Sequence, residues 1–105
     1  MKKIFISHPY SDDPLGNLDK VEEITSTYPE NELLLSPLHL FSMYQDCEET
    51  AELRQEILEI CYALIDLADE VHFYGCSEGC QNEFWYAKKN RKVMQFFGDG
   101  YNMVI

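Results

Sequence analysis

Apolar positions along this chain follow two rhythms, one of short continuous runs and one of helical spacing, and the two alternate. Lys3 to Ile6 is a β-branched and aromatic run, read as a first strand, with a turn-rich exit loop from Ser7 to Asp13. Asp13-Pro14 supplies an N-cap and a proline at the first helical position. Leu15, Leu18, Val21, Ile24 and Tyr28 then recur at helical spacing, which predicts a helix to about Tyr28. Pro29-Glu30-Asn31-Glu32 breaks it. Leu33 to Ser36 reads as a buried second strand stopped by Pro37, and Leu38 to Cys47 as a loop with a helical turn. Thr50 to Asp69 is the longest periodic element, with Leu53, Ile57, Ile60, Cys61, Leu64, Ile65 and Ala68 forming one apolar stripe. A third strand follows from Val71 to Tyr74, then a helix capped by Ser77 and running to about Asn90. Lys92 to Phe97 reads as a fourth strand, Gly98-Asp99-Gly100 as a turn, and Asn102 to Ile105 as a fifth, edge strand.

Strands that alternate with helices predict a parallel sheet, because each return crossover needs a helix. The expected fold is α/β: a three-layer sandwich with a four- to five-stranded parallel sheet, flavodoxin- or Rossmann-like, in a single domain over residues 1–105. Right-handed crossovers bring the carboxyl ends of the strands to one edge. That edge collects Ser7, His8, Tyr10 and Ser11 from the first strand, Ser36 and His39 from the second, and Gly75, Ser77 and Gly79 from the third. Ligands bind at this edge in such folds.

Glu83 stands out on the helix behind it. The positions flanking it on the same side are Gly79, Cys80, Tyr86 and Ala87, small or aromatic residues that let a helix lie close to a sheet. A carboxylate facing inward there is a candidate nucleophile or general base; the plainer alternative is a partly buried Glu paired with Lys or Tyr. Ser77 caps the helix, and Gly79 in its first turn lets a ligand approach a terminus that favours anionic groups. His72, mid-strand between Val71 and Phe73, reads as a hydrogen-bonded core histidine.

Charge narrows the partners. The chain has 105 residues, 19 acidic against 8 basic, and a net charge of −11. That repels long nucleic acid and anionic lipid, while a single nucleotide phosphate is still compatible with a helix terminus and a few hydroxyls. The opening apolar run stops at Ser7 and no run approaches membrane length, so a cytoplasmic protein with free thiols is expected. No zinc-type C-x-x-C occurs among the four cysteines, and neither metal nor cofactor is expected.

The S-H-P-Y opening, the A-D-E-V strand entry and the S-x-G-C-x-x-E-x-x-Y-A-K-K-N segment resemble the nucleoside 2-deoxyribosyltransferase-like superfamily, and within it small phage and bacterial members of unassigned activity. The resemblance spans nearly the whole chain in order of elements. Its specific residues sit in Ile4 to Tyr10 and Ala68 to Val93. It implies that Glu83 is the nucleophilic glutamate, that Tyr10 orients its carboxylate, and that Asp69 lies near the substrate. Ser77 falls where the related 2′-deoxynucleoside 5′-phosphate N-hydrolases place a phosphate-contacting serine. Ser7, His8, His39 and Gly79 are the further substrate-binding candidates, and His8, His39 or Asp69 the candidate acids. The activity implied is hydrolysis or transfer at the N-glycosidic bond of a 2′-deoxynucleoside or its 5′-monophosphate, in a homodimer or higher homo-oligomer. A non-catalytic nucleotide- or metabolite-binding module on the same fold is the alternative.

Overall fold

A computed structural model describes residues 1–38 and 50–103. His39, Cys47 and most of the expected loop after Pro37 therefore lie outside the described residues. The sheet has four parallel strands, β1 (Lys2–Ser7), β2 (Glu32–Leu35), β3 (Glu70–Phe73) and β4 (Val93–Phe96), in the order β2-β1-β3-β4. Helices α1 (Pro14–Thr25), α2 (Ala51–Leu67) and α3 (Glu78–Lys89) fill the connections, giving a three-layer α/β sandwich of the flavodoxin or Rossmann kind. The strand order reverses between β1 and β3. The loops leaving those two strands flank the place where such sheets receive ligands.

Alternation along the strands separates two different faces. Phe5, Val71 and Phe73 point to the α2–α3 side and pack with Cys61, Ile65, Ala68 and Ala87 into the main core. Phe96 stacks on Phe73 with centroids 5.3 Å apart. Ile4 and Ile6 are buried on the α1 side, where Val21 of α1 is also buried, but β3 turns Glu70 and His72 to that same face. The α1 side is thus apolar beneath β1 and polar beneath β3.

Two helices start on the signal expected: Asp13 accepts from Gly16 N at 3.3 Å with Pro14 in the first turn, and Ser77 accepts from Cys80 N at 3.3 Å. Thr50, read as the start of the periodic stretch, instead caps α2, accepting from Leu53 N at 3.1 Å. Glu78 in the first turn of α3 and Lys88 and Lys89 in its last complement the helix dipole. Helix α1 stops at Thr25, short of Tyr28. The hydroxyls of Thr25, Ser26 and Thr27 donate to the carbonyls of Glu22, Glu23 and Ile24, so local side-chain bonds take over the end of the helix.

The chain end differs from expectation. Gly98–Met103 is a 3-10 helix, so the described part of the expected fifth strand is helical. Gly100 explains why: it packs so tightly on β3 that a Cβ there would lie 2.2 Å from the carbonyl oxygen of Phe73. A segment folded back onto the end of β3 cannot also extend along the outside of β4. No helix among the described residues is long and apolar enough to cross a membrane.

Candidate functional site

Glu83 is buried in the second turn of α3, 6% exposed, in an otherwise amphipathic helix. Its partner comes from β1: the Ser7 hydroxyl, wholly buried at the carboxyl end of the strand, donates to Glu83 Oε1 at 3.1 Å. The other oxygen, Oε2, is buried without a hydrogen-bond partner. Burial raises the Glu83 carboxyl to about 8, with the Ser7 hydrogen bond opposing that rise. Near neutral pH the group is therefore mostly a neutral acid. Burial together with the nearby Glu83 charge pushes the thiols of Cys61 and Cys80 and the phenol of Tyr62 upward too.

The plainer alternative, a Glu paired with Lys or Tyr, is not what the fold builds. A lone acid with one hydroxyl donor and one bare oxygen is uncommon in a core, since an unsatisfied buried oxygen costs about 1–3 kcal/mol.

The other expected residues divide. Ser77 and Gly79 sit at the start of α3, Ser77 half-buried as the cap and Gly79 exposed, where a Cβ would meet the Ser77 Oγ at 3.9 Å, an ordinary contact. His8 is half-buried, its Nδ1 2.8 Å from the carbonyl oxygen of Pro9. Tyr10 follows on the same loop, and its carbonyl accepts from Asn17 Nδ2 at 3.1 Å. The expected hydrogen bond from the Tyr10 hydroxyl to Glu83 is not formed, because Oε1 takes Ser7 and Oε2 takes no donor.

Asp69 requires a correction. It lies at the amino edge of the sheet, where it accepts from the backbone N–H of Lys3 at 2.8 Å. Ser7, by contrast, pairs with Phe73 at the carboxyl end. Four residues of strand, roughly 13 Å, separate the two ends. Asp69 is exposed and lowered by the Lys3 hydrogen bond and the nearby lysines; it fastens β3 to β1 and is remote from Glu83.

Two clefts open on the α1 side of the sheet. One, of about 430 Å³, lies at the carboxyl edge between α1 and the end of β4, lined in part by His8, Asp12, Asn17, Lys20, Tyr74 and Asp99. The second, of about 350 Å³, runs along the polar half of that face past Lys2, Tyr28, Glu70, His72, Tyr74 and Gln95. Neither is lined by Glu83. Where the β1 and β3 loops meet, Gly75 abuts Pro9 so closely that a Cβ would sit 2.4 Å from the proline Cδ. Among the described residues, no group of three or more His, Cys, Asp or Glu side chains is placed to hold a metal ion.

What sequence reasoning missed is the polar chain under β3. His72 is buried, as expected of a core histidine, with Nε2 2.9 Å from Glu70 Oε1 and Nδ1 2.7 Å from the Tyr28 hydroxyl. Tyr28 in turn lies 2.6 Å from the Tyr74 hydroxyl. Gln95 and Lys2 also contact Glu70. The signal was available: Glu70, His72 and Tyr74 alternate with Val71 and Phe73, so three polar tips share one face of a buried strand.

Hydrogen bonds from His72 and Lys2 hold the Glu70 carboxyl below its ordinary range. A depressed carboxyl contributes stability above its unfolded-state pKa and loses it as pH falls through the lowered folded value. Glu70→Gln should therefore cost roughly 1–3 kcal/mol at neutral pH, a penalty that shrinks on acidification. Urea unfolding at about pH 7 and about pH 3 checks this; an equal penalty at both pH values contradicts it.

No protein-family model matches the chain, and a search of curated proteins gives no match.

Proposed function

We propose that this protein cleaves the N-glycosidic bond of a 2′-deoxynucleoside or its 5′-monophosphate, by hydrolysis or transfer, with Glu83 as the nucleophile. The observation that carries this reading is the bare Oε2 of a carboxyl whose other oxygen is already fixed by Ser7. A held carboxylate with one free oxygen suits attack at an anomeric carbon that is developing positive charge. In the first step Oε2 bonds to C1′ as the bond from C1′ to the base breaks, and the departing base nitrogen takes up a proton. His8 or His39 is the donor in this reading. Water, or a second base, then displaces the glycosyl ester and regenerates Glu83. The cap of α3, with Ser77 and the exposed Gly79, suits the 5′-phosphate. The reading includes a nucleoside- or nucleotide-sized partner, a homodimer or higher homo-oligomer, and a cytoplasmic setting; Cys61, Cys76 and Cys80 as free thiols suit the last.

Chromatography for free base after incubation with deoxynucleosides and their monophosphates tests it. Release should fall on the order of 10³-fold or more in Glu83→Ala and persist in a variant of the exposed Glu78. Because the nucleophile must be ionised, release should climb with pH through about 8. Base release that survives Glu83→Ala would sink the assignment. The second reading, a nucleotide- or metabolite-binding module without turnover, is favoured by the absence of Glu83 from both clefts. Thermal stabilisation by a nucleotide without base release would select it.

A further inference from the structure

The outer edge of β4 is open. Among the described residues β3 is its one sheet neighbour, because the segment from Gly98 folds back onto the end of β3. Phe97 N–H points inward, donating to the Phe73 carbonyl at 2.9 Å. Backbone groups alternate along a strand, so Val93 and Gln95 also bond inward, while Met94 and Phe96 turn their N–H and C=O groups outward. Natural sheets blunt such an edge with a charge, a proline or a bulge. The run Val93-Met94-Gln95-Phe96 has no charge and no proline, and its register with Glu70 to Phe73 is unbroken by a bulge. The opposite edge is defended: β2 carries Glu32 and lies between Pro29 and Pro37.

This edge is complementary to itself. In an antiparallel pair centred on Gln95, Met94 of each copy faces Phe96 of the other, so outward-facing groups meet outward-facing groups and exchange backbone hydrogen bonds. On the α1 face the same register sets Val93, 57% exposed, against the second copy's Phe97, which lies on that face beside Tyr74 and His72. A β-branched residue opposite an aromatic one is a favourable cross-strand pair. Charge fixes the orientation. Arg91 is exposed before the strand and Asp99 is exposed beyond it, so antiparallel alignment brings each toward its opposite, whereas parallel alignment sets like against like. The net charge of −11 opposes association in general, yet four of the 8 basic residues stand together from Lys88 to Lys92, where β4 begins. We infer that two copies of this chain join through their β4 edges, as an antiparallel pair about a two-fold axis at Gln95 that continues the sheet from one copy into the next. The inference rests on the homo-oligomer included in the reading above and gives that assembly its surface; it makes no use of the chemistry of Glu83.

Sedimentation of the full chain over a range of concentrations should show monomer passing into dimer. Amide hydrogen exchange in the wild type reads the register without any variant. Protection at Met94 and Phe96 should rise with concentration, whereas Val93 and Gln95, bonded to β3, should be protected throughout. Arg91→Asp turns two attractions per dimer into repulsions and should weaken association about tenfold or more, and adding Asp99→Arg to it should restore the affinity. Leu33→Lys, on the exposed side of the β2 edge, should leave association unchanged. A monomer at every concentration, a dimer whose Met94 and Phe96 amides stay unprotected, or an Arg91→Asp dimer as tight as wild type would each overturn the inference. Pairing through β4 in a protein that releases no base would uphold it and strike the glycosidase reading alone.

Discussion

Glu83→Gln should flatten the alkaline side of the stability curve. The Glu83 carboxyl titrates near 8 in the fold against an ordinary 4.5, so between those values the folded chain holds a proton that the unfolded chain has released. Stability then falls as pH rises across that window and levels off above it. A shift of this size in a wholly buried group corresponds to a loss on the order of 4–5 kcal/mol, a large part of what a small domain has. Glutamine keeps an oxygen for Ser7 but places two N–H donors where Oε2 was, at a cost of about 1–3 kcal/mol that does not vary with pH. The variant should therefore match or fall below wild type at about pH 5 and exceed it at about pH 9. The gap between the two proteins should change by roughly 4 kcal/mol across that range. Urea unfolding at a series of pH values measures it. Parallel curves would mean that Glu83 is solvated or already ionised in the fold, and the expected climb of base release through about pH 8 would be lost with it. The same acid destabilises the ionised fold and supplies the free oxygen, a stability–activity conflict often met at catalytic groups.

The second large effect is expected at Gly100. An alanine methyl at this buried position would collide with the carbonyl oxygen and carbon of Phe73, at 2.2 and 2.8 Å. Those are backbone atoms of a central strand, and the same oxygen already accepts from Phe97 N at 2.9 Å. Neither side can yield without loosening β3 from β4 or lifting the 3-10 helix away. Gly100→Ala should cost about 3 kcal/mol, the upper end for overpacking, and lower the thermal midpoint by roughly 10–20 °C. Gly98→Ala is the informative control, because its Cβ would meet nothing within 4 Å although its φ of +51° carries a left-handed penalty. A Gly100→Ala protein as stable as wild type would mean that the 3-10 helix is not seated on β3.

The fold was legible where periodicity and punctuation agreed. Asp13-Pro14 and Ser77 mark helix starts because side-chain capping is a local interaction, complete within four residues. The inward placement of Glu83 was legible because Gly79, Cys80 and Ala87 leave only one side of α3 small enough to approach the sheet. Its partner was not, because the pairing of Ser7 with Glu83 spans 76 positions and follows from strand register. Tyr28 reads as the last apolar position of a helix, yet it serves as the middle link between His72 and Tyr74, and no local pattern distinguishes those uses. Asp69 looked like a site residue by its place in a motif. The parallel register sets it at the wrong end of the sheet, a fact that exists only once β1 and β3 pair. The 3-10 helix was missed for a similar reason, since Gly98-Asp99-Gly100 is turn chemistry by composition and only the contact with Phe73 decides where the chain goes next.

Of the four described strands, the one made first is a central one. β1 finds β2 about thirty positions later, but its other edge waits for β3, with Ile4 opposite Glu70. Until then the nascent chain carries an apolar ribbon with one row of amides unfilled, the state in which sheets are most prone to pair with the wrong neighbour. The three carboxylates that follow in Ser11 to Asp19, together with the abundance of acid along the whole chain, keep such ribbons apart by mutual repulsion while synthesis continues.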